Sequence, residues 1–466
     1  MIGRAGTLPG MADESTRRIA IVGAGLAGSL MAVSLAQMGH AVTVYERRPD
    51  PREHGFQGGR SINLALSTRG ITALERVGLA ETVLDQAIPM RGRMVHKVDG
   101  ELTYQPYSSN ADDAINSVDR GRLNLTLLDA ADQFDNVALR FGHRCLNVDL
   151  DRPAVAFENV ENESFVEAEA DLIIGADGAF SAVRRRLQLL DRFNYSQHYL
   201  EHGYKELTIP PADEIPGFAG SDHDGYALDP NALHIWPRGG FMMIALPNQD
   251  RSFTCTCFWP YRGPTGFDSI ETREQIVPFF ERHFPDAVPL MPTLEADYQA
   301  NPTSSLVTVR CFPWHYEDKV VLIGDAAHAI VPFYGQGMNA AFEDCRILSE
   351  YIDELAPNWH GALETFTMHR KSNADAIADL AMDNFIEMRD KVGSKTFLLR
   401  KKVDQALHRI MPKTFTPLYN LITFTNTPYH EARQRAAAQD RLIISAGIAL
   451  LVIILIAWLL LGFWLG

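Results

Sequence analysis

The strongest constraint on this chain lies in its first 46 residues. A run beginning at Arg18 (RIAIVGAG, 18–25) reads as a buried strand, and Gly23-Ala24-Gly25-Leu26-Ala27-Gly28 is a GxGxxG turn. A helical pattern follows to Met38, Gly39 ends it, and AVTVYE at 41–46 reads as a second strand closing on Glu46. Strand, glycine turn, helix, strand and acid together make a dinucleotide-binding unit with parallel strands. Gly23 permits the tight turn, Gly25 lets the backbone approach a pyrophosphate, and Gly28 lets the helix close on the sheet. The helix N-terminus meets the negative charge. Glu46, 23 residues after Gly23, is placed to accept from ribose hydroxyls. The competing reading is a tight strand-to-helix turn in some other α/β protein. The motif alone does not separate NAD from FAD.

Composition bounds the rest. At 466 residues and 46% hydrophobic, the chain is long enough for two or three domains. A formal charge of −15 argues against a general nucleic-acid binder, which needs basic footing on phosphates. With 22% charged and 9% aromatic residues it is not a disordered chain. The five cysteines are odd in number and form no CxxC, so neither a disulfide framework nor a structural zinc site is expected. There is no HxxxH or HExxH either, and no metal is called for.

The two ends differ. Residues 1–17 hold no apolar core and read as a loose tail rather than a secretory signal, with Met11 an alternative start. Residues 442–466 run 25 positions without a charge. A helix of that length reaches about 37 Å, against about 30 Å of bilayer core. Trp458 and Trp464 suit an interface. The expectation is a C-terminal transmembrane anchor, and the competing reading is a buried core helix. Residues 389–413 carry eight Lys/Arg and two acids, and Arg433, Arg435 and Arg441 lie closer to the apolar run. This basic flank would place the folded body on the cytoplasmic side, of a bacterial inner membrane or a mitochondrial outer membrane.

Two further motifs extend the first. DLIIGADG at 171–178 delivers Asp177-Gly178 from a strand to a turn, followed by Arg184, Arg185 and Arg186. Alone this is an ordinary turn, and the arginines read as a solvated helix face. VVLIGDAAHAIVPFYGQGMNAAFEDC at 320–345 places Gly324-Asp325 at a strand end and starts a helix near Met338. The three motifs in this order resemble the FAD-dependent aromatic-ring hydroxylases, a family of flavoprotein monooxygenases. The resemblance implies that Asp325 binds the ribityl chain of FAD and that the helix N-terminus near Gly337 faces the flavin pyrimidine. His328 reads as a packing or hydrogen-bonding residue rather than a catalyst.

Longer runs narrow the likeness. Residues 59–67 (GRSINLALS), 89–96 (PMRGRMVH), 233–248, 252–258 (SFTCTCF) and 385–389 (FIEMR) resemble the members of that family acting on L-kynurenine, and the likeness spans 18–440. It implies FAD bound without a separate NADPH domain, reduction by NADPH, and O₂ activated as a flavin C4a-hydroperoxide. One oxygen then enters the ring carbon beside the aniline amine, giving 3-hydroxykynurenine. The cofactor carries the hard chemistry, so no catalytic acid or base is nominated. Besides Gly23, Gly25, Ala27, Gly28 and Glu46, the resemblance implies flavin contacts at Tyr45, Arg47, Arg48, Ala65, Arg120, Asp325, Gly337, Met338 and Asn339. Residues 332–337, Phe333 among them, would line the ring beside the substrate. A plain helix-start role for Arg120 remains the alternative. Members of the family also end in a membrane-associated helix.

Residues 93–107 read as a hairpin turning at Asp99-Gly100, with Gly100 left-handed and Lys97 paired with Glu101. Arg93 then faces Gln105, with Tyr107 its diagonal neighbour. A guanidinium suits a carboxylate, so Arg93 and Tyr107 could hold that of an amino-acid substrate. The resemblance points to the same pair and adds Asn384, Tyr419 and, for packing on the substrate ring, Phe258. Read without it, Arg93 is a surface ion pair, and Tyr419 and Phe258 are core. Residues 217–224 look like a short insertion in the loop after TIPPADEIP, which would alter gating if that loop borders the active site.

The expected fold is α/β. An FAD-binding Rossmann-like domain (18–90, 110–190, 300–350) interleaves with an antiparallel-sheet substrate domain (91–109, 191–299). A helical C-terminal region (351–440) and the anchor (442–466) follow. The expected partners are L-kynurenine, O₂, NADPH and a membrane, with no nucleic acid and an open oligomeric state. The alternatives are a hydroxylase of another anthranilate-like or phenolic acid, a tethered flavin reductase or lipid epoxidase, and a non-enzymatic flavin-binding module.

Overall fold

The computed structural model describes residues 16–55, 63–218, 220, 222–391, 407–408, 410–411 and 414–465. Residues 1–15 of the expected tail, the start of the 59–67 run, Ala219 and Ser221 of the insertion and most of the basic stretch 389–413 lie outside the described residues.

A six-stranded sheet runs in the order His315–Tyr316, Val320–Leu322, Leu172–Gly175, Arg18–Val22, Ala41–Tyr45, Val137–Arg140. All neighbours are parallel except the His315–Tyr316 edge. Its inner strands are apolar on both faces, as strands covered on two sides must be. The helix Leu26–Gln37 is buried over most of its length. The three nucleotide motifs all leave this sheet at the same strand ends, where such folds bind ligands.

The second large sheet has seven strands, in the order Ser304–Phe312, Asn194–Ile209, Phe253–Pro260, Met242–Pro247, Ala232–Pro237, Gly92–His96, Leu102–Pro106. It is antiparallel except between Ala232–Pro237 and Gly92–His96. Ser304–Phe312 pairs along Asn194–Ile209, although the sequence places 300–350 with the nucleotide half. Side chains alternate across the sheet. One face packs Trp236, Met243 and Trp259 against the helical layer holding Phe280 and Phe284. The other turns Ile235, Met242 and Phe258 toward Phe333, Leu380 and Phe385. A small sheet of Asn63–Leu66, Ile115–Asp119 and Ile88–Met90 lies beside the site, and another of Phe165–Glu169, Ala154–Asn159 and His143–Asp149 lies outside it. The long helices Gly337–Leu355 and Trp359–Ile386 pack together behind the flavin motif.

The C-terminus departs from expectation. The run expected to cross a membrane is the distal part of one helix, Tyr429–Leu465. Its first turns are docked on the body: Tyr429 and Ala432 are fully buried, and Arg433 pairs with Asp379 at 2.7 Å. The same helix carries Glu431, Arg435, Asp440 and Arg441, so it is not a free apolar rod. Among the described residues no helix is long and apolar enough to cross a membrane, and the transmembrane anchor is corrected on that ground. The membrane partner and the cytoplasmic placement both rested on that span.

A candidate flavin and substrate site

Sterics fix the first turn. Gly23 has φ +106°, and a Cβ there would lie 2.5 Å from the Ala176 carbonyl oxygen. A Cβ on Gly28 would fall 1.9 Å from the Gly23 oxygen, whereas one on Gly25 would meet nothing within 4 Å. The backbone at Gly25 is therefore open to a ligand, at the start of the helix Leu26–Gln37. Glu46 accepts from the backbone N–H groups of Ala24 and Arg48, each at 3.0 Å, which fixes its carboxylate at the strand end. Tyr45 stacks on Phe157 at 4.2 Å, while Arg47 and Arg48 are exposed. Ala27 packs against Gly324, where an added Cβ would meet its methyl at 3.3 Å.

The second and third motifs are tied together. Asp177 accepts from the Ala182 N–H at 2.6 Å. Arg184, expected on a solvated face, is 3% exposed and donates to the Ala326 carbonyl at 2.8 Å. It is a strut between the Asp177 turn and the Asp325 turn. Asp325 is open to solvent yet walled by protein, as a group lining a cavity must be. That enclosure raises its pKa, with His328 and Arg120 opposing. Arg120, at the start of the helix Arg120–Asp132, thus shares one field with Asp325.

Arg120 also acts on Glu206, on the strand Asn194–Ile209. Burial pushes the Glu206 carboxyl up to about 7, with Arg120 opposing. A carboxyl raised on folding stabilises the fold below the ordinary carboxylate range, and that contribution is lost as pH rises through the folded value. Glu206→Gln should therefore gain roughly 2 kcal/mol of stability near pH 8.5 and almost none near pH 4, read by urea unfolding.

The helix Gly337–Leu355 begins under the cavity. Asn339, expected at the flavin, is fully buried and uses its side chain as a bracket. Its Nδ2 donates to the Ala65 and Gly335 carbonyls at 2.8 Å, and its Oδ1 accepts from Ser67 N–H at 2.9 Å. Through it the Ala65 strand is held to the loop 332–337. Met338 is partly buried against the nucleotide core. At Gly337 an added Cβ would meet only Ile330, at 3.8 Å. These residues fit FAD. Gly25 leaves room for the pyrophosphate, Glu46 and Asp325 offer acceptors for ribose and ribityl hydroxyls, and a helix N-terminus supplies N–H groups for an electron-rich ring edge.

The substrate side converges as well. The hairpin pairs Arg93 with Gln105, its turn closes from Lys97 to Glu101, and Gly100 has φ +85°. Arg93 is not a surface residue: it is 3% exposed. Its guanidinium lies 5.0 Å from the Tyr419 ring and 5.5 Å from the Tyr107 ring, and those rings stack at 5.2 Å. Arg93 Nε and Nη1 and the Tyr107 hydroxyl have no hydrogen-bond partner among the described residues. Burial disfavours the Arg93 charge, but Tyr419, Tyr107 and the Glu387 carboxylate outweigh it and raise its pKa. Burial raises both phenols, with Arg93 opposing, so they remain neutral donors at physiological pH. A buried cation with uncommitted donors is a site for a planar anion.

Beyond the clamp lies an aromatic slot. Phe258 meets Phe333 edge-on at 4.9 Å, and Phe333 stacks on Phe385 at 4.2 Å. Asn384 donates to the Phe333 carbonyl at 2.6 Å, so this amide holds the loop rather than projecting free. Tyr334 stacks on Tyr419 at 5.6 Å and joins slot to clamp. All six expected substrate residues therefore belong to one connected cluster.

Sequence reasoning missed the frame behind this site. Arg370 bonds Asp344 at 2.7 Å and also Glu343, Arg69 bonds Glu343 at 2.7 Å, and His328 bonds Asp344 at 2.5 Å. All five are buried. The Gly324 N–H donates to Asp344 at 2.9 Å, tying this network to the flavin turn. The available signal was an acid pair, Glu343-Asp344, inside an apolar helical stripe: buried acids require cations.

Comparison with known proteins agrees with this geometry. A family model described as an FAD binding domain matches residues 16–381. Kynurenine 3-monooxygenase of Myxococcus xanthus is 45% identical over 433 residues, covering 93% of this chain and 91% of the relative. The Dictyostelium discoideum and Sus scrofa proteins of the same name are 46% and 42% identical, over 91% and 93% of this chain and 92% and 89% of theirs. Among solved structures, 2-methyl-3-hydroxypyridine-5-carboxylic acid oxygenase superposes with TM-score 0.64 at 20% identity, over 82% of this chain and 95% of that one. PqsL of Pseudomonas aeruginosa, solved with 2-aminobenzoylacetate, does so with TM-score 0.64 at 22% identity, over 80% and 97%. These two establish the fold alone. The extended identity, carried across both the nucleotide sheet and the sheet that presents Arg93, shows that the chain belongs to the kynurenine 3-monooxygenase family of FAD-dependent monooxygenases.

Proposed function

We propose that this protein hydroxylates L-kynurenine beside its aniline amine, consuming NADPH and O₂ and releasing 3-hydroxykynurenine, NADP⁺ and water. The observation that carries the reading is the buried Arg93 guanidinium with uncommitted donors, set beside the Tyr107 hydroxyl at one end of an aromatic slot. Bound FAD would supply the redox chemistry, which is two-electron reduction by NADPH and activation of O₂. The chain's own residues do the rest. Gly25 and the helix start behind it receive the pyrophosphate. Arg93, Tyr107 and Tyr419 take the amino-acid carboxylate. Phe258 and Phe333 grip the ring and exclude water, and Asn384 fixes the Phe333 loop. The N-terminus of Gly337–Leu355 would supply N–H groups that stabilise negative charge on the reduced flavin.

The test is NADPH consumption in air by FAD-loaded protein, with and without L-kynurenine, with the product identified by mass. Strong stimulation and a product heavier by one oxygen are expected. Stimulation without that product would make kynurenine an uncoupling effector. No stimulation in folded, yellow protein would redirect the search to other aromatic acids.

A further inference from the structure

Arg93 and Gln105 stand opposite each other on the strands Gly92–His96 and Leu102–Pro106. Directly opposed residues of an antiparallel pair project to the same face, near enough for their side chains to meet. An arginine facing a glutamine has an obvious bond to make, from guanidinium N–H to amide oxygen. Here that bond is absent. Arg93 Nε and Nη1 and Gln105 Oε1 are all shut off from solvent, and none has a hydrogen-bond partner among the described residues. The Tyr107 hydroxyl, two residues beyond Gln105 and on the same face, is a fourth such atom. Thirteen atoms of this kind occur among the described residues, and four of them gather on this one hairpin. The cluster is a feature of the hairpin and not scattered imperfection.

The four atoms do not make a carboxylate site alone. The guanidinium nitrogens only donate, and the phenol can donate, so these three suit an anion. The amide oxygen only accepts. A carboxylate offers it nothing and would repel it. What Gln105 Oε1 lacks is an N–H, and a buried amide oxygen without one is costly. The ligand that answers all four atoms brings an anion and an N–H cation close together. The α-carbon of an amino acid does this, with carboxylate and ammonium on one atom. The charges nearby suit a zwitterion too. The half-buried Glu387 carboxylate, in the π turn Glu387–Lys391 after the helix Trp359–Ile386, acts on Arg93 and sets a negative group beside the positive one.

We propose that Gln105 is a specificity-determining residue of this site, its Oε1 accepting from the α-ammonium of an amino-acid substrate whose carboxylate lies on Arg93 and Tyr107. This role rests on the reading of Arg93 as the carboxylate clamp, and it turns a site for an acid into a site for a zwitterion. Handedness follows. Tyr334 and Tyr419 join the clamp to the aromatic slot at Phe333 and Phe258, which takes the substrate's ring. Arg93 holds the carboxylate, Gln105 the ammonium and the slot the side chain. Three different groups of one carbon, held in three directions, admit one enantiomer.

The decisive variant is Gln105→Met, which removes the acceptor and keeps the length of the side chain. Affinities for L-kynurenine, D-kynurenine and the desamino analogue (the same keto acid without its α-amine) are read from flavin fluorescence of the holoenzyme. The parent should bind L-kynurenine about tenfold or more tighter than either of the others, the share of one hydrogen bond to a charged group. In Gln105→Met, L-kynurenine should weaken by about that factor. The desamino acid, whose carboxylate contacts are untouched, should keep at least its parent affinity, so the discrimination collapses. That retained affinity also shows that the variant is folded with its clamp in place. A parent that binds all three ligands alike overturns the proposal. An equal loss for L-kynurenine and the desamino acid in Gln105→Met overturns it too, because the amide would then serve the frame or the carboxylate. Unchanged L-kynurenine affinity in Gln105→Met does the same. Failure of the clamp reading looks different: folded, flavin-loaded parent would bind none of the three, and the role of Gln105 would fall with it.

Discussion

Arg370→Met should cost the fold about 3–5 kcal/mol, because it leaves two buried carboxylates short of a cation. Arg370 is 1% exposed and bonds both Glu343 and Asp344. Asp344 is also the acceptor for the Gly324 N–H and for His328, so its stranding reaches the flavin turn directly. A surface comparison sharpens the expectation. Arg152 pairs with Glu167 and Glu169 on an exposed sheet, and Arg152→Met should cost less than about 1 kcal/mol. Urea unfolding of both variants measures the difference, and equal costs would refute the buried network as a frame. The parent should also lose this contribution in acid. The arginines hold Glu343 below its ordinary value, and His328 and Arg370 hold Asp344 below its own, although burial opposes in both. The stability they confer is present above the ordinary carboxylate range and lost as pH falls through the depressed values.

Arg93→Ala should weaken L-kynurenine binding roughly a hundredfold or more, because truncating one partner of a buried charged contact typically costs about 2–5 kcal/mol. Folding and flavin content should change little, since two of the Arg93 donor nitrogens have no partner among the described residues. Tyr107→Phe should cost about tenfold, the share of one hydrogen bond to a charged group. Arg93→Lys should not rescue, because an ammonium lacks the planar fork. Titration of the holoenzyme with kynurenine separates these outcomes. A loss confined to turnover, with binding intact, would remove Arg93 from the clamp.

What was legible in the sequence follows from which forces are local. The glycine turn is dictated by backbone sterics: a side chain at Gly28 has no room whatever the rest of the chain does. The pairing of Arg93 with Gln105 follows from the turn at Gly100, since a hairpin's register is set by its loop. Depth is not local. Alternation told which face Arg93 occupies but not that Tyr107 and Tyr419, the latter over 300 positions away, would bury it. Arg184 looked solvated because its partner, the Ala326 carbonyl, lies 142 positions on. Asn339 matched a flavin motif, and its side chain turns out to clasp the Ala65 strand. At the C-terminus, hydropathy marked where charges stop but not that the charged turns before them belong to the same docked helix.

The order of strands in the nucleotide sheet also has a temporal meaning. Arg18–Val22 is flanked by Ala41–Tyr45 and by Leu172–Gly175, and the latter waits for Val320–Leu322. At a synthesis rate of about 5–20 residues per second, roughly 15–60 s separate the emergence of the glycine turn from that of the Asp325 turn after Val320–Leu322. For about the second half of that interval, once Leu172–Gly175 has emerged, its edge lacks Val320–Leu322, and the Asp325 side of the flavin cradle does not yet exist. A complete flavin cradle therefore forms only after the Asp325 turn has emerged. The long wait is where a nascent chain of this topology most needs shelter from aggregation.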